Sequence, residues 1–169
     1  TLLQEFYVCS WSSRTLIYKG MLLVDQLSQF YADLKDQSMM SAFGIVHSRF
    51  STNTLGSWKL AHPYRMLAHN GEINTVRGNR NWMQARERSI ESPLFGDKID
   101  QLTPICESDD PSDTASLDNV FELLRMTGRS VEHTAAMLMP AAWYGHESMS
   151  QKVKDFYEFH GNIMEPWDG

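Results

Sequence analysis

The chain has 169 residues, of which 42% are apolar, and its formal net charge is -6 at pH 7. This length suits one domain with a substantial core, and the composition is that of a globular protein rather than a disordered one. The acidic balance and the scattered basic residues exclude the concentrated positive surface that nucleic-acid binding requires, and no apolar run reaches the ~20 residues of a membrane-spanning helix.

The first part of the sequence alternates between strand-like and helix-like segments. Residues 5–13 and 14–22 are rich in β-branched and aromatic side chains around a Ser-rich turn, which predicts a hairpin. Residues 23–34 carry apolar side chains at helical spacing and predict a short helix. Segments 41–50 and 64–71 return to strand character, with a loop of turn-forming residues between them.

The second part of the sequence is mainly helix-forming. Residues 73–90 predict a helix despite Gly78, and residues 92–113 predict mostly loop. Residues 130–140 and 147–164 predict two further helices.

Another helix follows the long loop and has the clearest end signals. Pro111 suits a first helical turn, Asp110 is the candidate N-cap, and Gly128 is a natural residue for the helix end. The spacing i, i+3, i+4, i+7 predicts a buried apolar stripe made of Leu117, Val120, Phe121 and Leu124.

Three stretches place polar residues at a strand end or a helix start: "HSRFSTN" (47–53), "HNGEIN" (69–74) and "PSDTASLDN" (111–119). Such positions allow a scaffold to aim side chains into one shared pocket. Together they supply a guanidinium, a pair of amide donors and a carboxylate. This set suits an α-amino acid whose side-chain carbonyl is attacked: a planar cation for its carboxylate, an anion for its ammonium group and an oxyanion hole for the reacting amide.

These motifs, together with "SDTASLDNVFELL" and the final "MEPWDG", resemble in the same order the glutamine amidotransferase domain of the glutamate synthases. That domain is a class II amidotransferase with an N-terminal nucleophile. The resemblance extends over essentially the whole chain, so that residues 1–169 form a partial domain of this type. It implies an α+β fold, the αββα sandwich of the N-terminal-nucleophile hydrolases, of which this chain is an incomplete portion.

The resemblance also assigns the residues that hold the substrate, L-glutamine. By this likeness Arg49 pairs bidentately with the α-carboxylate, and Asp113 binds the α-ammonium group. The loop that carries Thr52 and Asn53 closes over the bound amino acid.

The oxyanion hole implied by the resemblance consists of the Asn70 side-chain amide and the Gly71 backbone N–H. The family's nucleophile is a cysteine at the mature amino terminus, but residue 1 here is Thr1, which matches an internal position of the family's domain. Cys9 falls in a predicted strand and Cys106 in a predicted loop, so neither is assigned the attack. We therefore expect these 169 residues to bind glutamine and to have no glutaminase activity by themselves.

The partners and cofactors come from the same resemblance. Glutamine is hydrolysed through a thioester to glutamate and ammonia, and the remaining domains of the polypeptide use the ammonia to aminate 2-oxoglutarate with FMN and an iron-sulfur cluster. A reductase subunit or ferredoxin is the implied electron-donating partner. The sequence shows no motif for these cofactors. Its two cysteines lack CxxC spacing and no signal peptide opens it, which predicts a reducing, cytoplasmic location.

Other interpretations of the same residues stay open at this point. Arg49 also suits an ion-paired arginine at a strand end, the Asn-Gly dipeptide suits a simple turn, and Asp113 suits a helix cap. A non-catalytic glutamine-binding or structural module is the main alternative function. A metal-dependent amidohydrolase using His47 and His69 is a weaker one, because no third ligand stands at a persuasive spacing.

Overall fold

The computed structural model of the protein describes residues 6–49, 57–107 and 112–167. The chain forms two compact units, Thr1–Asn70 and Gly71–Gly169, which we call the amino-terminal and the carboxyl-terminal unit. None of the helices in the described part of the chain combines the length and the apolar character needed to cross a membrane.

The amino-terminal unit contains one α-helix, α1 (Val24–Phe30), within its described residues. This confirms the predicted helix but shortens it, because Tyr31 has an extended backbone (φ -100°, ψ 91°) that interrupts the helical hydrogen bonds. Single 3₁₀ turns follow at Ala32–Lys35 and Trp58–Leu60.

The predicted hairpin at the start of the chain is wrong for the residues that the structure describes, which include no β-strand. The Ser-rich turn does form, since the Ser12 hydroxyl accepts hydrogen bonds from the N–H groups of Arg14 (3.1 Å) and Thr15 (3.3 Å). The flanking segments, and the predicted strands 41–50 and 64–71, run without a ladder in their described parts. An extended segment becomes a strand only when a neighbouring backbone pairs with it, and β-rich composition alone does not supply that neighbour.

A buried lysine organises the amino-terminal unit. The Lys19 side chain is 9% exposed, and its ammonium group donates to the Trp58 carbonyl oxygen (3.1 Å) and the Tyr7 hydroxyl (3.4 Å). The same nitrogen lies over the rings of Tyr7 (4.9 Å) and Tyr64 (5.5 Å), an arrangement that stabilises a cation away from water. In the described part of this unit, the buried apolar residues are Ala61 and Tyr64.

The carboxyl-terminal unit is helical. The structure confirms the four predicted helices as α2 (Val76–Glu87), α3 (Asp113–Met126), α4 (Val131–Leu138) and α5 (Gln151–Gly161). The segment predicted to be mostly loop also contains a 3₁₀ helix, Gly96–Leu102.

The start of α3 differs from the prediction. Its N-cap is Ser112, whose hydroxyl accepts a hydrogen bond from the Ala115 N–H at 3.1 Å. Asp110 and Pro111, which were predicted to begin the helix, lie outside the described residues. Gly128 follows the helix with a φ of +98°, a left-handed conformation that favours glycine.

The core of this unit lies where α4 packs against α3 and against α5. All four residues of the predicted apolar stripe on α3 are buried, which confirms that prediction. The Trp167 side chain is fully buried, and the backbone N–H of Trp167 donates to the Leu138 carbonyl oxygen at the end of α4 (2.6 Å). On α2, Arg80 donates to the Ser116 hydroxyl (2.9 Å) and thereby ties that helix to α3.

Candidate functional site

In the amino-terminal unit, one imidazole lies between two of the residues predicted to form the site. The Nε2 atom of His47 is 3.0 Å from Oδ1 of Asn70, and its Nδ1 atom is 2.8 Å from the backbone oxygen of Arg49. The side chains of Arg49 and Asn70 are exposed, so that both are open to a ligand. The unit therefore joins the predicted carboxylate-binding residue and the predicted oxyanion donor through His47.

The His47 ring is itself held in place by other rings. It stacks on His62 with the centroids 4.4 Å apart and the planes 19° from parallel. His62 in turn meets the buried Tyr64 ring edge-on at 4.8 Å, and the Tyr64 hydroxyl donates to the Leu60 carbonyl oxygen at 3.0 Å.

A cavity of about 310 Å³ opens beside this cluster. Its size is at the lower end of the range of ligand pockets, ~300 to 1,000 Å³. Two cationic side chains, Lys19 and Arg49, line it together with His47, His62 and Trp58, which suits an anionic group on the occupant. Lys19 is not among the site residues predicted from the sequence. The available signal was a lone lysine between tyrosine and glycine in an otherwise apolar and aromatic segment.

In the carboxyl-terminal unit, Asp113 is anchored by hydrogen bonds. Its Oδ2 atom accepts from the Ile73 N–H (2.7 Å), and its Oδ1 atom accepts from the N–H (2.6 Å) and the hydroxyl (3.1 Å) of Thr114. Ile73 stands two residues after Gly71, so this contact brings Asp113 to the segment that leads away from the predicted oxyanion donor. A carboxylate has about four acceptor positions, and three are used here, which leaves one for an ammonium group.

The helix-capping interpretation of Asp113 is wrong, because Ser112 makes the capping bond. Asp113 is instead the first helical residue, half-buried at the positive end of the α3 dipole. That position stabilises a carboxylate in its charged form.

The predicted site residues thus fall into two half-sites. Arg49 and Asn70 belong to the amino-terminal unit, and Gly71, which is exposed, and Asp113 belong to the carboxyl-terminal unit. Thr52 and Asn53 lie outside the described residues. The convergence of all six on one ligand stays a prediction.

The remaining residues considered for catalysis are the two cysteines and His47. Cys106 is buried and its thiol donates to the Ser116 carbonyl oxygen at 3.6 Å, while Cys9 is half-buried. Both ring nitrogens of His47 take part in hydrogen bonds, which leaves no lone pair of that residue for a metal. In the described ranges, no group of three or more His, Cys, Asp or Glu side chains could hold a metal ion.

Comparison with known proteins gives a family match and close relatives. Residues 2–169 match the family described as Glutamine amidotransferases class-II. The chain is 52% identical to the glutamate synthase [NADPH] large chain of Bacillus subtilis, with 98% of the chain and 11% of that protein covered. It is 48% identical to the glutamate synthase [NADH] of Saccharomyces cerevisiae (97% and 8% covered) and 47% identical to the ferredoxin-dependent glutamate synthase of Pyropia yezoensis (98% and 11% covered). The chain therefore spans about a tenth of the length of these curated relatives.

Proposed function

The chain belongs to the class-II glutamine amidotransferases, and from that premise we propose that it is part of the glutaminase domain of a glutamate synthase. The observation that carries the proposal is the linked pair in the amino-terminal unit. There, the Arg49 backbone and the Asn70 side chain contact the same imidazole, in a chain that matches the family from residue 2 to residue 169. These two side chains supply the two functions that glutamine hydrolysis needs at opposite ends of the substrate.

Substrate binding uses the two charged residues. The planar guanidinium of Arg49 pairs with the α-carboxylate of glutamine through two parallel hydrogen bonds. The open acceptor position of Asp113 receives the α-ammonium group, and the bonds from Ile73 and Thr114 hold that carboxylate in place. By the family resemblance, Thr52 and Asn53 are proposed as further substrate-binding residues.

Catalysis uses the residues around the Asn-Gly step. When the side-chain carbonyl of glutamine is attacked, its oxygen becomes negatively charged. The Asn70 amide nitrogen and the Gly71 N–H donate hydrogen bonds to that oxygen, and such donors are each worth on the order of 3 kcal/mol of transition-state stabilisation.

The attacking group in this proposal is a cysteine thiolate at a mature amino terminus that precedes these residues. The terminal amine takes the proton of the thiol, and the sulfur bonds to the side-chain carbonyl carbon of glutamine. The protonated amine then gives that proton to the amide nitrogen, and the C–N bond breaks to release ammonia. Water then hydrolyses the thioester to glutamate. The buried Cys106, whose thiol already donates to a backbone carbonyl, takes no part.

The proposed complete fold is the αββα sandwich, of which residues 1–169 are one part. Support comes from the amino-terminal unit, where large apolar side chains are exposed; among them are Phe6 (79%), Trp11 (92%), Val46 (85%) and Met40 (92%). Extended segments with uncovered apolar side chains are suited to pairing with further strands.

The later chemistry, amination of 2-oxoglutarate with FMN and an iron-sulfur cluster, is proposed for other domains of the polypeptide. Cluster ligation uses several cysteine thiolates, usually about four, and this chain has Cys9 in one unit and Cys106 buried in the other. The residues present therefore do not fit a cluster.

The relatives' names give NADPH, NADH or ferredoxin at 47% to 52% identity, so this portion is common to proteins with different electron donors. A reductase subunit or ferredoxin is thus a partner of the other domains, and the proposed location is the cytoplasm.

The test is release of glutamate and ammonia from glutamine by the complete polypeptide, with its own amino terminus, and by its Asn70→Ala variant. We expect the variant to lose on the order of 10² to 10³ in kcat, as loss of one oxyanion donor typically does. Unchanged thermal unfolding of the variant is the control, since Asn70 is exposed. If the wild-type polypeptide binds glutamine but releases no ammonia, the enzymatic function is wrong and the non-catalytic glutamine-binding module takes its place.

A further inference from the structure

The side chain of Asn70 can present either of two ends to a ligand. Its carboxamide has an oxygen and a nitrogen of nearly equal size, and only the nitrogen can donate to an oxyanion. If the group turned by 180°, the oxygen would face the developing negative charge and repel it. An oxyanion hole built on this side chain therefore needs a partner that selects one orientation.

The structure places such a partner on the oxygen. The Nε2 atom of His47 is 3.0 Å from the Asn70 Oδ1 atom, so that Nδ2 is turned away from the imidazole. Since an amide oxygen accepts and does not donate, the hydrogen of this bond is on Nε2. This orientation is the one that leaves the amide nitrogen for the substrate.

The hydrogen bonds at the Nδ1 atom of His47 are compatible with a proton on Nε2. In the neutral ring, Nδ1 accepts a hydrogen bond from the Arg49 N–H, which is 3.2 Å away. In the cationic ring, Nδ1 donates to the Arg49 carbonyl oxygen, 2.8 Å away. Both forms keep the bond from Nε2 to Asn70, and the stacking on His62 holds the plane of the ring.

We infer that His47 is a positioning residue of the glutaminase site: it donates from Nε2 to Asn70 and thereby fixes the amide with its nitrogen toward the reacting carbonyl. This inference rests on the proposed function. In this inference His47 is not assigned to the reacting atoms and acts through Asn70. The Nδ1 atom of His47 also contacts the backbone of Arg49, the residue proposed to bind the α-carboxylate.

The experiment compares variants of the complete polypeptide in a steady-state glutaminase assay. Leucine at position 47 keeps an apolar body but has no donor. We expect His47→Leu to lower kcat on the order of tenfold or more, up to the 10² to 10³ typical of losing the donor itself, with KM changed by less than about twofold. His146→Leu, at an exposed histidine of the other unit, is the matched control and should keep the wild-type kcat.

Two conservative variants test the position of the donor and do not depend on the leucine variant folding. The amide nitrogen of glutamine at position 47 reaches the place of Nε2, whereas that of asparagine reaches only the place of Nδ1. We expect His47→Gln to recover most of kcat and His47→Asn to remain as low as His47→Leu. If His47 had a purely structural role, the His47→Gln and His47→Asn variants would have equal kcat values. That result would overturn the inference.

A double-mutant cycle with Asn70→Ala decides whether the two residues act together. If His47 acts through Asn70, the His47→Leu change has no further effect on kcat once Asn70 is alanine. If His47→Leu lowers kcat equally with Asn70 and with Ala at position 70, or changes KM instead of kcat, the inference is overturned. The proposed glutaminase function is unaffected by either result. A wild-type polypeptide that releases no glutamate would overturn the proposed function and this inference with it.

Discussion

The two units of this chain are built in different ways. The carboxyl-terminal unit has α2 to α5 around a buried core, and side chains such as Leu117, Val120 and Leu138 are at most 1% exposed. The described part of the amino-terminal unit has the short α1 and two 3₁₀ turns, and its most buried polar group is the Lys19 ammonium side chain.

The difference shows what a segment needs in order to form regular structure. A helix pairs its own backbone groups, so that an apolar stripe and a good cap are enough to place it on a core. An extended segment needs a second segment for every backbone bond, and that partner can be far away in sequence. The exposed residues of the proposed site, Arg49 and Asn70, belong to the unit with less regular structure, which agrees with the usual placement of binding residues outside helices and strands.

The largest expected effect is a core truncation in the helical unit. Leu138→Ala removes a fully buried side chain, so the free energy of unfolding should fall by about 2 to 5 kcal/mol. Leu16→Ala, at a leucine that is 60% exposed in the other unit, should cost less than about 0.5 kcal/mol. In the complete polypeptide, hydrogen exchange of the α3 and α4 amides measures the effect of Leu138→Ala. Exchange of the α1 amides measures the effect of Leu16→Ala. Equal costs would contradict the contrast between the two units.

A change at the binding end of the site should act on affinity instead of stability. Arg49→Lys keeps the positive charge but loses the two-pronged geometry, so KM for glutamine should rise on the order of tenfold while kcat changes little. Arg14→Lys, at another exposed arginine of the same unit, is the control and should leave KM unchanged. A lowered kcat with constant KM would place Arg49 in catalysis and not in ground-state binding.

The helical unit should lose stability in mild acid through His160, which is 7% exposed on α5. Burial, followed by the nearby His133 and Arg129, lowers the pKa of His160 below its usual 6.5. The unfolded chain then binds more protons than the folded one, so this contribution to stability is complete above pH 6.5 and is lost as the pH falls below 6.5. Thermal unfolding at pH 7 and pH 5 should show a smaller decrease for His160→Gln than for the wild type. A decrease of the same size would assign the effect to other groups.

The smallest expected effect concerns the two cysteines, one in each unit. Neither is the proposed nucleophile, so Cys9→Ser and Cys106→Ala should change kcat/KM for glutamine hydrolysis by less than about twofold, or ~0.4 kcal/mol. The assay on the complete polypeptide checks this. If either variant no longer releases ammonia, the cysteine that it replaces is the attacking group.

The amino-acid sequence by itself determined the helical half of the fold and predicted the site residues. The spacing of Leu117, Val120, Phe121 and Leu124 predicted the buried face of α3, because helical periodicity is a local property. The order of the motifs around Arg49, Asn70 and Asp113 indicated the family that the comparison then established.

Only the tertiary structure decided how those residues are supported. It gave the cap of α3 to Ser112 and placed Asp113 against the Ile73 N–H. It buried Lys19 against Tyr7, and it formed no β-strand in the described ranges. It also placed His47 against Asn70, 23 residues further along the chain. Each of these contacts joins groups distant in sequence or selects one among neighbouring polar partners, and periodicity and propensity carry no information about such choices.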